Sequence, residues 1–272
     1  MDTVDGKGVV ITGGASGIGK ATARLLGRHG ARVMIADIEP ASLDATVALL
    51  RDEGIDAHAT VCDVSSLAQV EALADDAFDA LGSVHVVFNN AGVAVGGPVA
   101  DMTHDDWRWV VDVNLWGAIH GVEVFVPRLL DQAEGGHILF TSSLAGLAAN
   151  RGLGAYAVTK YGIVGLADVL AKELPPQGIG VSVVCPMRVG TKIWKSERNR
   201  HDGYGGPEAS RPVLEGADDD DVDSEVITSD VVADRILDAI HHDRLYVHTH
   251  REAREPIRRR FAELDEAFDA LE

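Results

Sequence analysis

Two cysteines in 272 residues, Cys62 and Cys185, are too few for a disulfide framework. Each closes an apolar run, which predicts a buried strand thiol and suits a reducing compartment. Cationic residues are scarce too: 24 Lys and Arg stand against 43 Asp and Glu, a formal charge of −19. Such a surface repels phosphate backbones and anionic lipid, which argues against nucleic-acid binding and membrane docking. The chain shows no internal repeat. It also lacks metal-ligand spacing, since His241, His242, His248 and His250 straddle a helix end and a strand. The run Gly82 to Ala100 is long enough to span a bilayer but carries His85, Asn89, Asn90 and Pro98. No targeting segment is seen in the opening MDTVDGKG, and the expectation is a soluble cytoplasmic protein.

What the chain does contain is 46% apolar and 25% charged residues, enough for a full globular core. Short Val- and Ile-rich runs predict strands near 8–12, 32–36, 57–62, 84–89, 137–141, 180–185 and 244–248. Stretches of helical period fall between them, near 17–29, 40–53, 66–81, 103–131 (as two helices), 154–174 and 229–241. Continuous apolar strands in strict alternation with helices imply an α/β fold. The predicted architecture is one doubly wound, Rossmann-type domain over 1–250, with a mostly parallel seven-stranded sheet and helices on both faces. Ligands of such sheets bind outside the carboxyl ends of the strands. Residues 192–227 lose the period and hold Gly203, Gly205, Gly206, Pro207 and the acidic run Asp218 to Asp221, which reads as a substrate lid. The tail 251–272 reads as an amphipathic helix with Ile257, Phe261, Leu264, Phe268 and Leu271 on one stripe, packing on its own domain or on a neighbouring subunit.

Between the first strand and helix stands TGGASGIG. Gly13, Gly17 and Gly19 permit a tight turn that brings backbone N–H groups, with Ser16 and Ile18, close to a pyrophosphate at a helix N-terminus. A glycine-rich βα turn alone says little; its place in the first βαβ unit points to a dinucleotide. Asp37 ends the second strand, where a carboxylate accepts the ribose hydroxyls of NAD and repels the 2′-phosphate of NADP. Glu39 adds negative charge, and neither Ser16 nor Ile38 supplies a cation for that phosphate. Tyr156 and Lys160, four apart on a helix, project about 40° from each other. A free tyrosine titrates near 10, and an ammonium beside it favours the phenolate. Ser143, after the fifth strand, faces the same sheet edge.

Together these residues resemble the short-chain dehydrogenase/reductase family over about 6–250. The matches are TGGASGIG, Asp63-Val64 after strand three, NNAG at 89–92, Asn114, Ser143, Tyr156 and Lys160, in order and at the family's elements. The resemblance implies that Tyr156 is the acid/base, that Lys160 lowers its pKa and binds the nicotinamide ribose, and that Ser143 positions the substrate. It also implies that Asn114 holds a water linked to Lys160, that Asp63 and Val64 flank the adenine, and that Asn90, Ala91 and Gly92 pack along the cofactor. After strand six such chains usually read Pro-Gly; here Pro186 is followed by Met187, which puts the local backbone and the nearby substrate room in doubt unless the Met simply packs as a core filler. Val189 and Thr191 still match positions that contact the nicotinamide carboxamide. No metal is implied.

The resulting expectation is an NAD(H)-dependent dehydrogenase or reductase acting on a small-molecule secondary alcohol or ketone. It would form a homotetramer or dimer on the helices at 103–131 and 154–174. A 3-oxoacyl-thioester reductase is the nearest alternative, though such enzymes generally prefer NADPH. A non-catalytic NAD-sensing protein would be expected to have lost one of the four catalytic residues. An epimerase of the extended relatives would carry a longer C-terminal substrate domain. Trp194 opens the irregular stretch and is placed to close over an apolar substrate. Trp107, Trp109 and Trp116 read as core or subunit packing.

Overall fold

In the computed structural model, residues 1–207 and 224–271 are described. The elements run β1 (Gly8–Thr12), α1 (Gly17–Arg28), β2 (Arg32–Asp37), α2 (Pro40–Asp52), β3 (Ala57–Val61), α3 (Leu67–Leu81) and β4 (Val86–Asn89). They continue with α4 (His104–Val111), α5 (Gly117–Gln132), β5 (Gly136–Thr141), α6 (Gly154–Glu173), β6 (Ile179–Cys185), α7 (Ser229–His242), β7 (Tyr246–His248) and α8 (Arg254–Glu266). One seven-stranded sheet has the order β3-β2-β1-β4-β5-β6-β7, and every pair is parallel.

Alternation along each strand feeds two apolar layers. Val9, Ile11, Val33 and Ile35 point to the layer that holds Leu26, Leu43, Ile236 and Ile240 of α1, α2 and α7. Val10, Met34, Val87 and Ile138 point to the other, with Leu73, Phe125 and Ile163 of α3, α5 and α6. The sheet is thus covered on both faces, which is why β1 is buried along its whole length.

The 103–131 region differs from the expected pair of helices. It is one helical segment, His104 to Gln132, whose middle turn widens to a π-helix over Asp112–Trp116. The segment is long and apolar enough to cross a membrane, but most of its apolar window is buried in the core. β4 starts at Val86, later than expected, and just before it His85 Nδ1 accepts the Gly8 N–H at 3.2 Å.

The described part of the irregular stretch carries no long helix or strand. Residues Ile193–Asn199 and Asp202–Tyr204 form short 3-10 turns, and its two ends are tied by a bridge between Val189 and Ile227. The acidic run Asp218 to Asp221 lies outside the described residues. The expected C-terminal helix is present as α8, yet of its stripe Ile257 packs on the domain while Phe261, Leu264, Phe268 and Leu271 are exposed.

His137, fully buried on β5, gives the fold an acid sensitivity. Its Nε2 meets the Ser182 hydroxyl at 2.8 Å and its Nδ1 faces Asp243 at 3.5 Å. Burial pulls its pKa down to about 4, against the pull of Asp243. The unfolded chain therefore takes up a proton near 6.5 that the folded chain refuses, and stability present above that pH is lost as pH falls toward 4. From pH 6.5 to 5 this contribution is about 2 kcal/mol. Urea unfolding of wild type and His137→Gln at pH 7 and pH 5 measures it: the variant should lose distinctly less stability between the two. Equal losses would refute the assignment.

Candidate active site

Strand order reverses between β1 and β4, and there the carboxyl ends open into a cleft of about 460 Å³. One end is the glycine turn. Gly13 has φ +64, and a Cβ on it would meet Ala91 Cα at 2.9 Å. A Cβ on Gly17 would meet Thr191 Cγ2 at 3.2 Å, so this turn packs on the loop after β6. Gly13, Ser16, Gly17 and Ile18 line the cleft. Gly19 does not; it sits behind the turn, where a Cβ would lie 2.3 Å from the Gly13 carbonyl oxygen. Its role is to let the turn fold.

Asp37 stands at the end of β2, where its Oδ2 accepts the Ala15 N–H and its Oδ1 the Glu39 N–H, each at 3.1 Å. Burial raises its pKa, and those two backbone donors act against the rise. A carboxylate so fixed beside the glycine turn, with a backbone cradle that side chains would fill, fits a dinucleotide with its adenosine ribose at Asp37. Asp63, Val64, Asn90, Ala91 and Gly92 line the floor of the same cleft, and Pro186, Val189 and Thr191 its β6 side.

Asn90 lines the cleft and also braces it. Its Nδ2 donates to the Thr12 carbonyl at 3.0 Å and its Oδ1 accepts the Thr141 hydroxyl at 2.9 Å, joining β1, β4 and β5. Asn114, in the π turn, is likewise engaged. Its Oδ1 accepts the Val93 N–H at 2.7 Å, while its Nδ2 donates to the Val93 carbonyl at 2.9 Å and Thr159 Oγ1 at 3.2 Å. Asn114 lies behind Gly92, not on the cleft wall, and fixes the NNAG loop next to Lys160.

Ser143, Tyr156 and Lys160 converge at the other end of the cleft. The Ser143 hydroxyl stands near enough to Tyr156 to favour its phenolate, while donating to the Pro186 carbonyl at 3.4 Å and accepting the Ala145 N–H at 3.2 Å. Lys160 does not touch the phenol oxygen: its Nζ lies 5.3 Å from the Tyr156 ring centroid and donates to the Thr141 carbonyl at 2.7 Å. Burial dominates both pKa values, pushing Tyr156 up to about 12 and Lys160 down to about 7. The expected lowering of Tyr156 therefore has only the nearby Ser143 hydroxyl behind it here. Cys185, beneath them, is pushed by burial to about 12 and is no nucleophile.

Met187 settles the departure after strand six. Its side chain packs with Leu144, Ala148 and Ala253, and its N–H donates to Thr249 Oγ1 at 3.2 Å. Among the described residues the non-glycines with positive φ are Ala133 and Asp243, so the Met187 backbone needs no glycine. Trp194 lies over the site, its ring 6.4 Å from that of Tyr156.

Two features escaped the sequence reading. The Thr141 carbonyl that holds Lys160 is main chain and leaves no side-chain signature. Arg198 and Asn199 reach Glu39 from 159 and 160 residues away, so a cation does stand near the Asp37 end of the cleft.

The short chain dehydrogenase family model matches residues 7–202. A 1-deoxy-11-beta-hydroxypentalenate dehydrogenase of Streptomyces avermitilis is 35% identical over 246 residues, covering 90% of this chain and 84% of its own. A C alpha-dehydrogenase of a Sphingobium species is 30% identical, covering 96% and 86%. Among solved structures, a short chain dehydrogenase/reductase from Burkholderia phymatum in complex with NAD is 37% identical and superposes with a TM-score of 0.91 over 98% of this chain and 97% of that one. The matched span runs from the glycine turn through Ser143, Tyr156 and Lys160 to the turns that roof the cleft, and on those residues the chain belongs to the short-chain dehydrogenase family.

Proposed function

We propose that this chain is an NAD-dependent dehydrogenase of secondary alcohols, working in either direction between alcohol and ketone. The observation that carries the reading is the placement of Tyr156, Ser143 and Lys160 at one end of a cleft whose other end presents Asp37. When bound, the nicotinamide supplies the ring carbon that takes or gives the hydride. Ser143 holds the substrate oxygen, and the hydroxyl of Tyr156 exchanges the proton with it. Lys160, anchored on Thr141, would meet the nicotinamide ribose and set the field around the phenol. Asn114 keeps the loop beside Lys160 in register. Met187, Leu144, Leu153 and Trp194 give the substrate end an apolar lining, which favours an apolar carbon skeleton.

The reading includes a homotetramer or dimer built on α4–α5 and α6. It is supported by Trp116, Leu130, Val158 and Val169, large apolar residues that stand exposed on those helices. It also includes a cytoplasmic setting, in keeping with two buried thiols that form no disulfide. Residues 192–227 serve as the substrate lid and α8 as an appended helix.

The sign of the Tyr156 shift predicts a pH dependence. Oxidation needs the phenolate, and burial raises the phenol's pKa above its free value. The kcat/KM for oxidation should climb through the alkaline range, whereas reduction, which needs the protonated phenol, should not. Oxidation that falls steadily above neutrality would contradict this role. The reading as a whole is tested by offering steroid, terpenoid, aryl and hydroxyacyl secondary alcohols with NAD and following reduced cofactor. Turnover of at least one class is expected. Tight NADH binding with no turnover of any would instead support a sensing protein.

A further inference from the structure

The segment from Ile193 to Tyr204 crosses the cleft and is held on two unlike margins. On the α4 side its contacts are buried. Ser196 Oγ accepts the Ala94 N–H at 3.0 Å and donates to the Ala94 carbonyl at 3.3 Å. Arg200 pairs with Asp106 at 2.5 Å, both almost wholly buried, and lies over the Trp109 ring. The Tyr204 hydroxyl donates to Asp112 at 3.0 Å. Separating a buried ion pair is strongly unfavourable, so this margin is a fixed anchor.

On the sheet side the hydrogen bonds centre on Glu39, with His201 Nε2 a looser 3.9 Å from Asp63 Oδ2. Glu39 Oε1 accepts the Arg198 guanidinium and, at 2.8 Å, the Asn199 amide; its Oε2 accepts the Ser42 hydroxyl at 3.2 Å. Side chains here are about one-third exposed, at 28% for Glu39 and 36% for Arg198, and such pairs exchange readily with water. Glu39 sits at the N-cap of α2, where the helix dipole favours a carboxylate. It is two residues from Asp37, and both line the cleft with Arg198 and Asn199.

We propose that Glu39 is a positioning residue that holds this strap closed across the adenosine end of the cleft by receiving Arg198 and Asn199, so that the cofactor leaves only when Glu39 releases them. The inference rests on the dinucleotide reading of the cleft, with Asp37 marking the ribose. Opening occurs at the exposed margin while Ser196, Arg200 and Tyr204 stay in place. Glu39 thereby sets how long the cofactor is retained while the proton and hydride chemistry takes place at the far end.

The test is NADH release from the binary complex, followed by stopped-flow fluorescence after mixing with excess NAD. Glu39→Gln and Arg198→Gln should each release NADH about three- to fivefold faster than wild type. The double variant should be no faster than either single one, because both remove the same pair. Added salt should speed wild-type release and leave the variants nearly unchanged. Unchanged rates in the single variants would overturn the strap. So would a fast Glu39→Gln beside a wild-type-like Arg198→Gln, which would mean that Glu39 acts on the cofactor directly, and so would effects that multiply. Wild-type protein that binds no NADH would refute the dinucleotide reading itself, and the strap with it. Retention by wild type with variant rates equal to it would refute the strap alone.

Discussion

Tyr156→Phe is expected to lower kcat for alcohol oxidation by at least about 100-fold, the lower end of what general acid–base catalysis contributes. The substitution keeps the ring and removes the hydroxyl to which the proposed mechanism gives the proton exchange with the substrate. Packing should survive, because the ring's neighbours, Trp194 at 6.4 Å and the Lys160 ammonium at 5.3 Å, contact the ring and not the oxygen. Affinity for NADH should change little, since the glycine turn and Asp37 lie at the opposite end of the cleft. Steady-state kinetics paired with a fluorescence titration separates the two quantities. A variant with wild-type kcat would remove Tyr156 from the chemistry. A variant that lost turnover together with NADH binding would show that the tyrosine builds the site instead of working in it.

Wild-type enzyme is also expected to prefer NAD over NADP by roughly 30- to 1,000-fold in kcat/KM. The 2′-phosphate of NADP would meet the Asp37 carboxylate at hydrogen-bond range. At an effective dielectric of 20, like charges about 4 Å apart repel by roughly 4 kcal/mol before screening and relaxation. A quarter to a half of that, counted over the phosphate's nearly two charges, leaves about 2–4 kcal/mol, and each 1.36 kcal/mol is tenfold. Asp37 cannot swing away freely, because the Ala15 and Glu39 N–H groups hold both of its oxygens. Arg198 offers the phosphate little relief while its charge is paired with Glu39. Asp37→Ala should narrow the preference, mainly by losing ribose hydrogen bonds to NAD. Adding Ser16→Arg should narrow it further or reverse it. A wild-type preference for NADP would mean that the end of β2 has been misassigned.

The sheet was legible because its strands are unbroken Val and Ile runs and its helices keep their period, so local pattern and global burial agree. Alternating burial carries Val9, Val10 and Ile11 to the layers that the pattern implies. The glycine turn was legible because backbone geometry demands glycine at Gly13, whereas Tyr156 and Lys160, a pair common by chance on one helix face, stand out only through the ordered set of family motifs. What could not be read depends on contacts between distant segments. The π turn at Asp112–Trp116 has no distinctive composition, yet it aims Asn114 at Val93. Arg198 looks like any surface cation until the fold brings it to Glu39. The engagement of the Asn90 carboxamide by Thr12 and Thr141 likewise depends on three strands meeting. Met187 packs as the core filler its residue type suggests, against Leu144, Ala148 and Ala253, at a turn that in this chain needs no left-handed residue.

The central claim is that a hydride passes between a carbinol carbon and the nicotinamide in this cleft. It is tested most directly with a turned-over secondary alcohol carrying deuterium on its carbinol carbon. The reduced cofactor formed from NAD is then examined by mass spectrometry. Deuterium recovered in the NADH, together with a slower rate than for the unlabelled alcohol, is the predicted result. Label lost to water, or ketone formed with no reduced nicotinamide, would contradict the account.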